Sequence, residues 1–226
     1  MWYVTDPADG CPLLDEIIAS PDPIISRGRV LKHDGTTTVI MLGEQGRCWV
    51  IKRYNTKNGW HAVRRTLQTS RALTCWRAAG WLQAAGIDTP RPVAAMEERR
   101  CRVLRGRSYF VCEFVEGQTL AEALHPFGSR AGASGAPVPA DGPEALIERI
   151  SGIVRRLADH GIVHGDLKAT NFIVSEDRIF LADLDAARRP PQGRLAEGLR
   201  RDRDRFLRNW TDHPNLLQAF TERLSA

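Results

Sequence analysis

Short apolar blocks between turn residues fill much of the first half of the chain, and three- and four-residue apolar steps become commoner in the second. Val39-Ile40-Met41-Leu42 and Cys48-Trp49-Val50-Ile51 read as strands of a hairpin within Arg29 to Tyr54, joined by Gly43-Glu44-Gln45-Gly46. Residues 61 to 85 read as a helix, because Ala72, Cys75, Trp76, Ala79, Leu82 and Gln83 recur at helical steps and Gly86 is a natural stop. Thr89-Pro90-Arg91-Pro92 is a stiff extended entry to the next strand. Arg99 to Arg107 forms a basic hairpin, and Ser108 to Val115 an apolar strand that ends in Glu116-Gly117-Gln118. Asp141-Gly142-Pro143-Glu144 resembles a capping box, opening a helix with a stripe of Leu146, Ile150, Ile153 and Leu157 that Gly161 stops. Leu195 to Trp210 and Pro214 to Leu224 read as the last two helices.

This pattern predicts an α+β chain of two lobes, the second a reduced helical lobe. Residues 1–28 are expected to be an irregular lead-in, with at most a short helix around Leu13 to Ala19, since acids and prolines show no period there. Residues 29–117 would form an antiparallel sheet with one main helix, and residues 118–226 the second lobe, its Gly-, Ala-, Ser- and Pro-rich stretch 128–143 a surface linker. With 42% apolar and 26% charged residues the composition is that of an ordinary globular protein. No apolar run of membrane-spanning length occurs, and Met1-Trp2-Tyr3-Val4-Thr5-Asp6 does not open like a signal peptide. The expected location is therefore cytoplasmic, with peripheral contact on the inner face of the cytoplasmic membrane left open. Cys11, Cys48, Cys75, Cys101 and Cys112 contain no C-x-x-C pair, which favours free thiols over zinc or disulfides.

The chemistry concentrates in residues 163–174, Val-His-Gly-Asp-Leu-Lys-Ala-Thr-Asn-Phe-Ile-Val. Asp166 is followed by Lys168 and Asn171, then by Phe172-Ile173-Val174 as a strand, Arg178 to Leu181 as a second strand, and Asp183-Leu184-Asp185. Such a hairpin brings Asn171 and Asp183 together as oxygen ligands for a hard cation such as Mg²⁺. A carboxylate to orient a hydroxyl, a cation and fixed metal ligands are what phosphoryl transfer requires. The order resembles a protein-kinase-like active site, with His-Gly-Asp in place of His-Arg-Asp.

In that setting Lys52, closing its strand, is expected to meet the α- and β-phosphates of ATP. Gly35 and Thr36, in Lys32-His33-Asp34-Gly35-Thr36-Thr37-Thr38, would offer N–H groups and a hydroxyl to a phosphate, or form a plain β-turn; G-x-G-x-x-G is absent. Backbone groups of Glu113 to Val115 would hold adenine. The helix glutamate that usually pairs with the strand lysine is missing: no Asp or Glu occurs between Glu44 and Asp88, and Cys75 stands near its place. That window holds Arg47, Lys52, Arg53, Lys57, Arg64, Arg65, Arg71 and Arg77, and with the net charge of +5 it points either to an anionic partner or to a solvated face. After Asp185 only 41 residues remain, without A-P-E. Leu199, Phe206 and Trp210 are expected beneath the catalytic loop; Asp202 or Asp204 either braces it or belongs to a surface Arg–Asp lattice.

From about Arg29 to Trp210 the chain resembles the bacterial lipopolysaccharide core kinases, which phosphorylate Kdo or heptose. The resemblance rests on Leu31-Lys32-His33, Val50-Ile51-Lys52-Arg53-Tyr54, Ser70-Arg71-Ala72 with Trp76-Arg77-Ala78-Ala79, Gly86-Ile87-Asp88-Thr89-Pro90-Arg91-Pro92, and His164 to Asn171. It implies a two-lobed protein-kinase-like fold, ATP with Mg²⁺, and a sugar hydroxyl of an anionic lipid-linked oligosaccharide as acceptor, with no nucleic-acid partner. It makes Asp166 the catalytic base, Asn171 and Asp183 the metal ligands and Lys52 the phosphate clamp, while Lys168 neutralises the γ-phosphate. Asp185, at a position where glycine is usual, adds a metal ligand or caps the turn. Two rival readings stand beside it: a small kinase or ATPase resembling that of the tRNA threonylcarbamoyl complex, and a nucleotide-binding pseudokinase.

Overall fold

The alternation of buried and exposed side chains in the first half resolves into antiparallel strands. The computed structural model describes residues 2–5, 12–44, 46–55, 69–100, 104–128 and 142–225. The chain forms two units: Met1–Ala79 with Pro90–Phe114, and Gly80–Thr89 with Val115–Ala226.

In the first unit, β1 (Trp2–Thr5), β2 (Arg29–His33), β3 (Thr37–Glu44), β4 (Arg47–Tyr54), β5 (Pro92–Arg100) and β6 (Leu104–Glu113) make one sheet. Its order is β1-β5-β6-β4-β3-β2, with every neighbouring pair antiparallel. Ile40 and Leu42 of β3, Trp49 and Ile51 of β4, and Tyr109 and Val111 of β6 face one core. Helices α1 (Pro12–Ala19) and α2 (Pro21–Arg27) cover it with Leu14, Ile17, Ile24 and Ile25. The short helix expected around Leu13 to Ala19 is α1, but the rest of the lead-in is not irregular: it also supplies a sheet strand and a second helix. Its prolines obscured α2, yet Pro21 sits in the first turn, where a missing N–H costs nothing.

Three other expectations change. The hairpin strands are longer than 39–42 and 48–51, and Lys52 lies inside β4, opposite Val39 on one side and Phe110 on the other. β2 adds an edge strand whose five residues are all exposed, so it carries no apolar alternation to betray it. The helix expected over 61–85 starts, among the described residues, at Arg71 as α3 (Arg71–Ala84). Ser70 caps it, accepting the Leu73 N–H at 3.2 Å, and residues 61–68 lie outside the described residues. At its other end Gly86, with φ +65°, closes a Schellman motif through Ile87 N–H to Leu82 C=O at 2.9 Å.

In the second unit, β7 (Gln118–Thr119), β8 (Phe172–Ser175) and β9 (Arg178–Leu181) form a small antiparallel sheet in that order. Helices α4 (Leu120–Gly128), α5 (Gly142–Asp159), α6 (Gln192–Leu207) and α7 (Pro214–Ser225) accompany it. Asp141 of the proposed capping box and residues 129–141 of the expected linker lie outside the described residues. Beneath β8, Phe172, Phe206, Trp210 and Phe220 build an aromatic core, with Phe206 edge-on to Phe172 at 5.7 Å and to Phe220 at 4.9 Å. Among the described residues no helix is long and apolar enough to cross a membrane.

Candidate active site

The candidate catalytic loop starts where α5 is forced to stop. Gly161, at φ +64°, lets Ile162 N–H reach back to Leu157 C=O at 2.8 Å, and the chain turns into the buried pair Ile162 and Val163. Val163 exchanges both backbone bonds with Arg188 at 2.9 Å. His164 follows, wholly buried, its Nδ1 accepting from Asp166 N–H at 3.4 Å and its Nε2–H donating to Ala182 C=O at 3.1 Å. Burial above all holds the imidazole pKa below its ordinary value, so the ring is a neutral link from the loop to the end of β9.

Gly165 is required twice over. Its φ is +83°, and a Cβ there would stand 2.6 Å from Ala186 O and 2.8 Å from Arg188 Nη1. Asp166, presented next, is half-buried. Lys168 Nζ lies 2.8 Å from its Oδ2, and Arg205 Nη1 lies 2.9 Å from its Oδ1. Asn171 closes a short 3₁₀ turn over Ala169–Asn171 and donates Nδ2–H to Asp166 C=O at 2.8 Å, which leaves its amide oxygen as the free acceptor end. The same residue's backbone carbonyl accepts Ala182 N–H at 2.8 Å, so Asn171 and Asp183 stand at one end of the β8–β9 hairpin. Asp183 takes left-handed angles, φ 61° and ψ 57°, a strained conformation for a side-chain-bearing residue. Asp185 sits in the 3₁₀ turn that follows. Among the described residues no three His, Cys, Asp or Glu side chains converge as a metal cage. An amide oxygen with two carboxylates is nevertheless the donor set Mg²⁺ takes when phosphates and water complete its shell.

Sequence reasoning left the brace open between Asp202 and Asp204. Asp202, buried on α6, accepts His164 N–H at 2.7 Å and Gly165 N–H at 2.9 Å. Asp204 instead belongs to the surface lattice, with Arg200 at 3.3 Å and Arg203 at 3.9 Å. Gly198, one turn earlier on α6, allows this approach, since a Cβ would meet Val163 Cγ2 at 2.7 Å. Arg205 was missed altogether. The spacing Gly198, Asp202, Arg205 marks one helix face, but nothing in it says that this face meets the 163–174 loop.

The nucleotide candidates, Lys52, Gly35, Thr36 and Glu113 in the first unit and Val115 in the second, fare unevenly. Lys52 is half-buried in β4, and its charge acts on the Cys112 thiol; burial still pushes that thiol up to about 11. The Gly35–Thr36 turn is not an open phosphate cradle. Asp34 Oδ1 accepts Thr36 N–H at 2.8 Å, Thr36 Oγ–H at 2.6 Å and Thr37 N–H at 2.7 Å, which holds its carboxyl well below the usual range. Those donors are spent within the turn, and Gly35 is what remains. Glu113 has its carboxylate on Arg91 at 2.8 Å and Arg47 at 3.1 Å, and its N–H on Arg91 C=O at 3.0 Å, while Val115 is half-buried.

Where a helix glutamate was absent, Cys75 Sγ lies 3.4 Å from Tyr54 Oη. The Arg71 guanidinium covers the Tyr54 ring at 4.5 Å and donates to Thr37 Oγ1 at 3.1 Å. The acid-free window is acid-free only along the sequence. Arg53 reaches Asp22 at 3.2 Å and Arg47 reaches Glu113, whereas Lys57, Arg64 and Arg65 lie outside the described residues.

Fold and loop together are those of the protein-kinase-like class. A solved structure of WaaP in complex with acyl carrier protein shares the fold, with TM-score 0.61 and 20% identity, over 100% of this chain and 98% of that one. The serine/threonine-protein kinase RIO2 of Caenorhabditis elegans is 28% identical over 116 residues, 48% of this chain, and the chain spans 19% of RIO2's length. The profile of the lipopolysaccharide kinase (Kdo/WaaP) family matches residues 26–216, and the chain belongs to that family. Kinases of this kind use ATP and a divalent metal.

Proposed function

We propose that the chain transfers the γ-phosphoryl group of ATP to a sugar hydroxyl, Kdo or heptose, of the lipopolysaccharide inner core. The observation that carries this reading is the Asp166–Lys168–Asn171 loop, held by Asp202 and His164, within a chain of that kinase family. Asp166 would orient the acceptor hydroxyl and take its proton as the hydroxyl oxygen bonds to the γ-phosphorus and the bond to the β-phosphate breaks. Lys168 would leave Asp166 for the γ-phosphate. Asn171 and Asp183, with Asp185, would hold Mg²⁺, which when bound neutralises charge developing on the phosphates. Lys52 would pair with the α- and β-phosphates, and backbone groups of Glu113 to Val115 would receive adenine.

The acceptor is an anionic, lipid-linked glycan, so the proposal includes peripheral approach to the inner face of the cytoplasmic membrane. It also extends to this chain a protein partner of the kind seen with WaaP, an acyl carrier protein.

The decisive experiment is transfer of labelled phosphate from ATP to purified lipopolysaccharide core, intact and dephosphorylated, with a tRNA-threonylcarbamoylation complex as control. Labelling of dephosphorylated core, abolished by Asp166→Ala, supports the reading. Absence of labelling with Mg²⁺ and ATP, or stimulation by the tRNA complex alone, refutes it. Co-sedimentation with anionic vesicles at low and high salt tests the membrane approach, and co-purification tests the carrier protein.

A further inference from the structure

Both carboxylate oxygens of Asp166 meet a cation, one supplied from two residues away and one from α6. Arg205 Nη1 donates to Gly165 C=O at 2.5 Å and to Asp166 Oδ1 at 2.9 Å. The two cations differ in kind. Lys168 is a flexible ammonium, and the reaction proposed above carries it to the γ-phosphate, releasing Oδ2. An aspartate's terminal torsion is broad, so a carboxylate left without a fixed partner would sweep through many orientations. Arg205 is a planar fork on a helix anchored by its buried neighbours Asp202 and Phe206. Its bond to Gly165 C=O ties the guanidinium to the loop backbone that carries Asp166.

We propose that Arg205 is a positioning residue for phosphoryl transfer: it fixes Asp166 Oδ1 and leaves Oδ2 aimed at the acceptor hydroxyl. The inference rests on Asp166 being the base. A purely stabilising role fits poorly, because the Arg205 and Asp166 side chains are 41% and 32% exposed, and ion pairs that open to solvent add little to folding. Misaimed catalytic groups, by contrast, cost rate.

The test compares the full chain with Arg205→Ala, Arg205→Lys and Arg205→Gln, using ATP and dephosphorylated lipopolysaccharide core. Arg201→Ala, which removes a solvent-side pair with Glu197 on the same helix, is the control expected to behave as wild type. Arg205→Ala should lower kcat by about 10- to 100-fold with KM for ATP within about threefold. Arg205→Lys should retain more kcat than Arg205→Gln. Added guanidinium ion should restore several-fold activity to Arg205→Ala, while sodium chloride at equal ionic strength should not. Wild-type kcat in Arg205→Ala, a loss carried only by KM or melting temperature, or equal Lys and Gln variants without guanidinium rescue would each overturn the proposal. Should Arg205→Ala not fold, the Lys–Gln comparison decides alone. Asp166→Asn in the same assay separates the two ideas. If it stays active, the base assignment fails; if it is dead while Arg205→Ala is fully active, only the present inference fails.

Discussion

Replacing Asp202 should loosen the 163–174 loop far more than its place in an Arg–Asp-rich helix suggests. Asp202 is 5% exposed, and its carboxylate accepts two backbone N–H groups, one of them from fully buried His164. Asp202→Ala removes both bonds at once. The His164 N–H is then stranded without water, at a cost of about 1–3 kcal/mol, and the Gly165 N–H at a smaller cost because that residue is partly exposed. Both lost bonds were to a charged acceptor, so the sum is about 3–4 kcal/mol. Asp202→Asn keeps one acceptor but turns an NH₂ toward the other donor, and should cost about 2 kcal/mol. Asp204→Ala, which breaks only exposed pairs on the same helix, should cost under about 0.5 kcal/mol. Urea unfolding followed by Trp fluorescence gives the three values. Amide exchange across residues 163–174 shows whether the loss is local to the loop. A cost below about 1 kcal/mol for Asp202→Ala, with loop protection unchanged, would refute the brace.

Other perturbations separate the remaining roles. Asn171→Ala and Asp183→Ala should weaken Mg²⁺-dependent ATP binding at least tenfold, whereas Asp166→Ala should leave binding within a few-fold; calorimetric titration with and without Mg²⁺ distinguishes them. Gly165→Ala forces a Cβ against Ala186 O at φ +83°, and should cost about 1–3 kcal/mol in thermal or urea unfolding while lowering kcat. Cys112, with its thiol raised from 9.0 to about 11, should resist iodoacetamide at pH 8 while exposed Cys48 reacts, as peptide mapping would show. Because the folded chain keeps that proton longer than the unfolded chain does, this thiol should erode stability as pH rises from about 9 toward 11, and Cys112→Ser should flatten that part of the pH curve.

Legibility along the sequence followed range. Asp166, Lys168 and Asn171 fall within six residues, so a single 3₁₀ turn and one amide-to-carbonyl bond fix their mutual geometry, and spacing alone predicts it. Asn171 and Asp183 were also readable, since a four-residue hairpin register puts Phe172 opposite Leu181. Glycine stops at Gly86 and Gly161 were visible because positive φ is a local demand. The edge strand β2, exposed at every position, and the proline-masked α2 gave no such period, and only their pairing and burial reveal them.

The same division holds for charge. Arg53 looks unpaired along the chain, yet it meets Asp22, as does Arg107, while Tyr109 Oη donates to Glu98 Oε1 at 2.7 Å. Asp202 and Asp204 are indistinguishable as letters two places apart on a charged helix. What separates them is a rotation of about 200° around the helix axis, which turns one toward the loop and the other toward water. The local sequence determined which groups the loop presents, through short-range turns and hydrogen bonds. Which groups brace and aim that loop was decided only when the aromatic core of Phe172, Phe206, Trp210 and Phe220 packed, because that burial fixes which face of α6 the backbone N–H groups of His164 and Gly165 encounter.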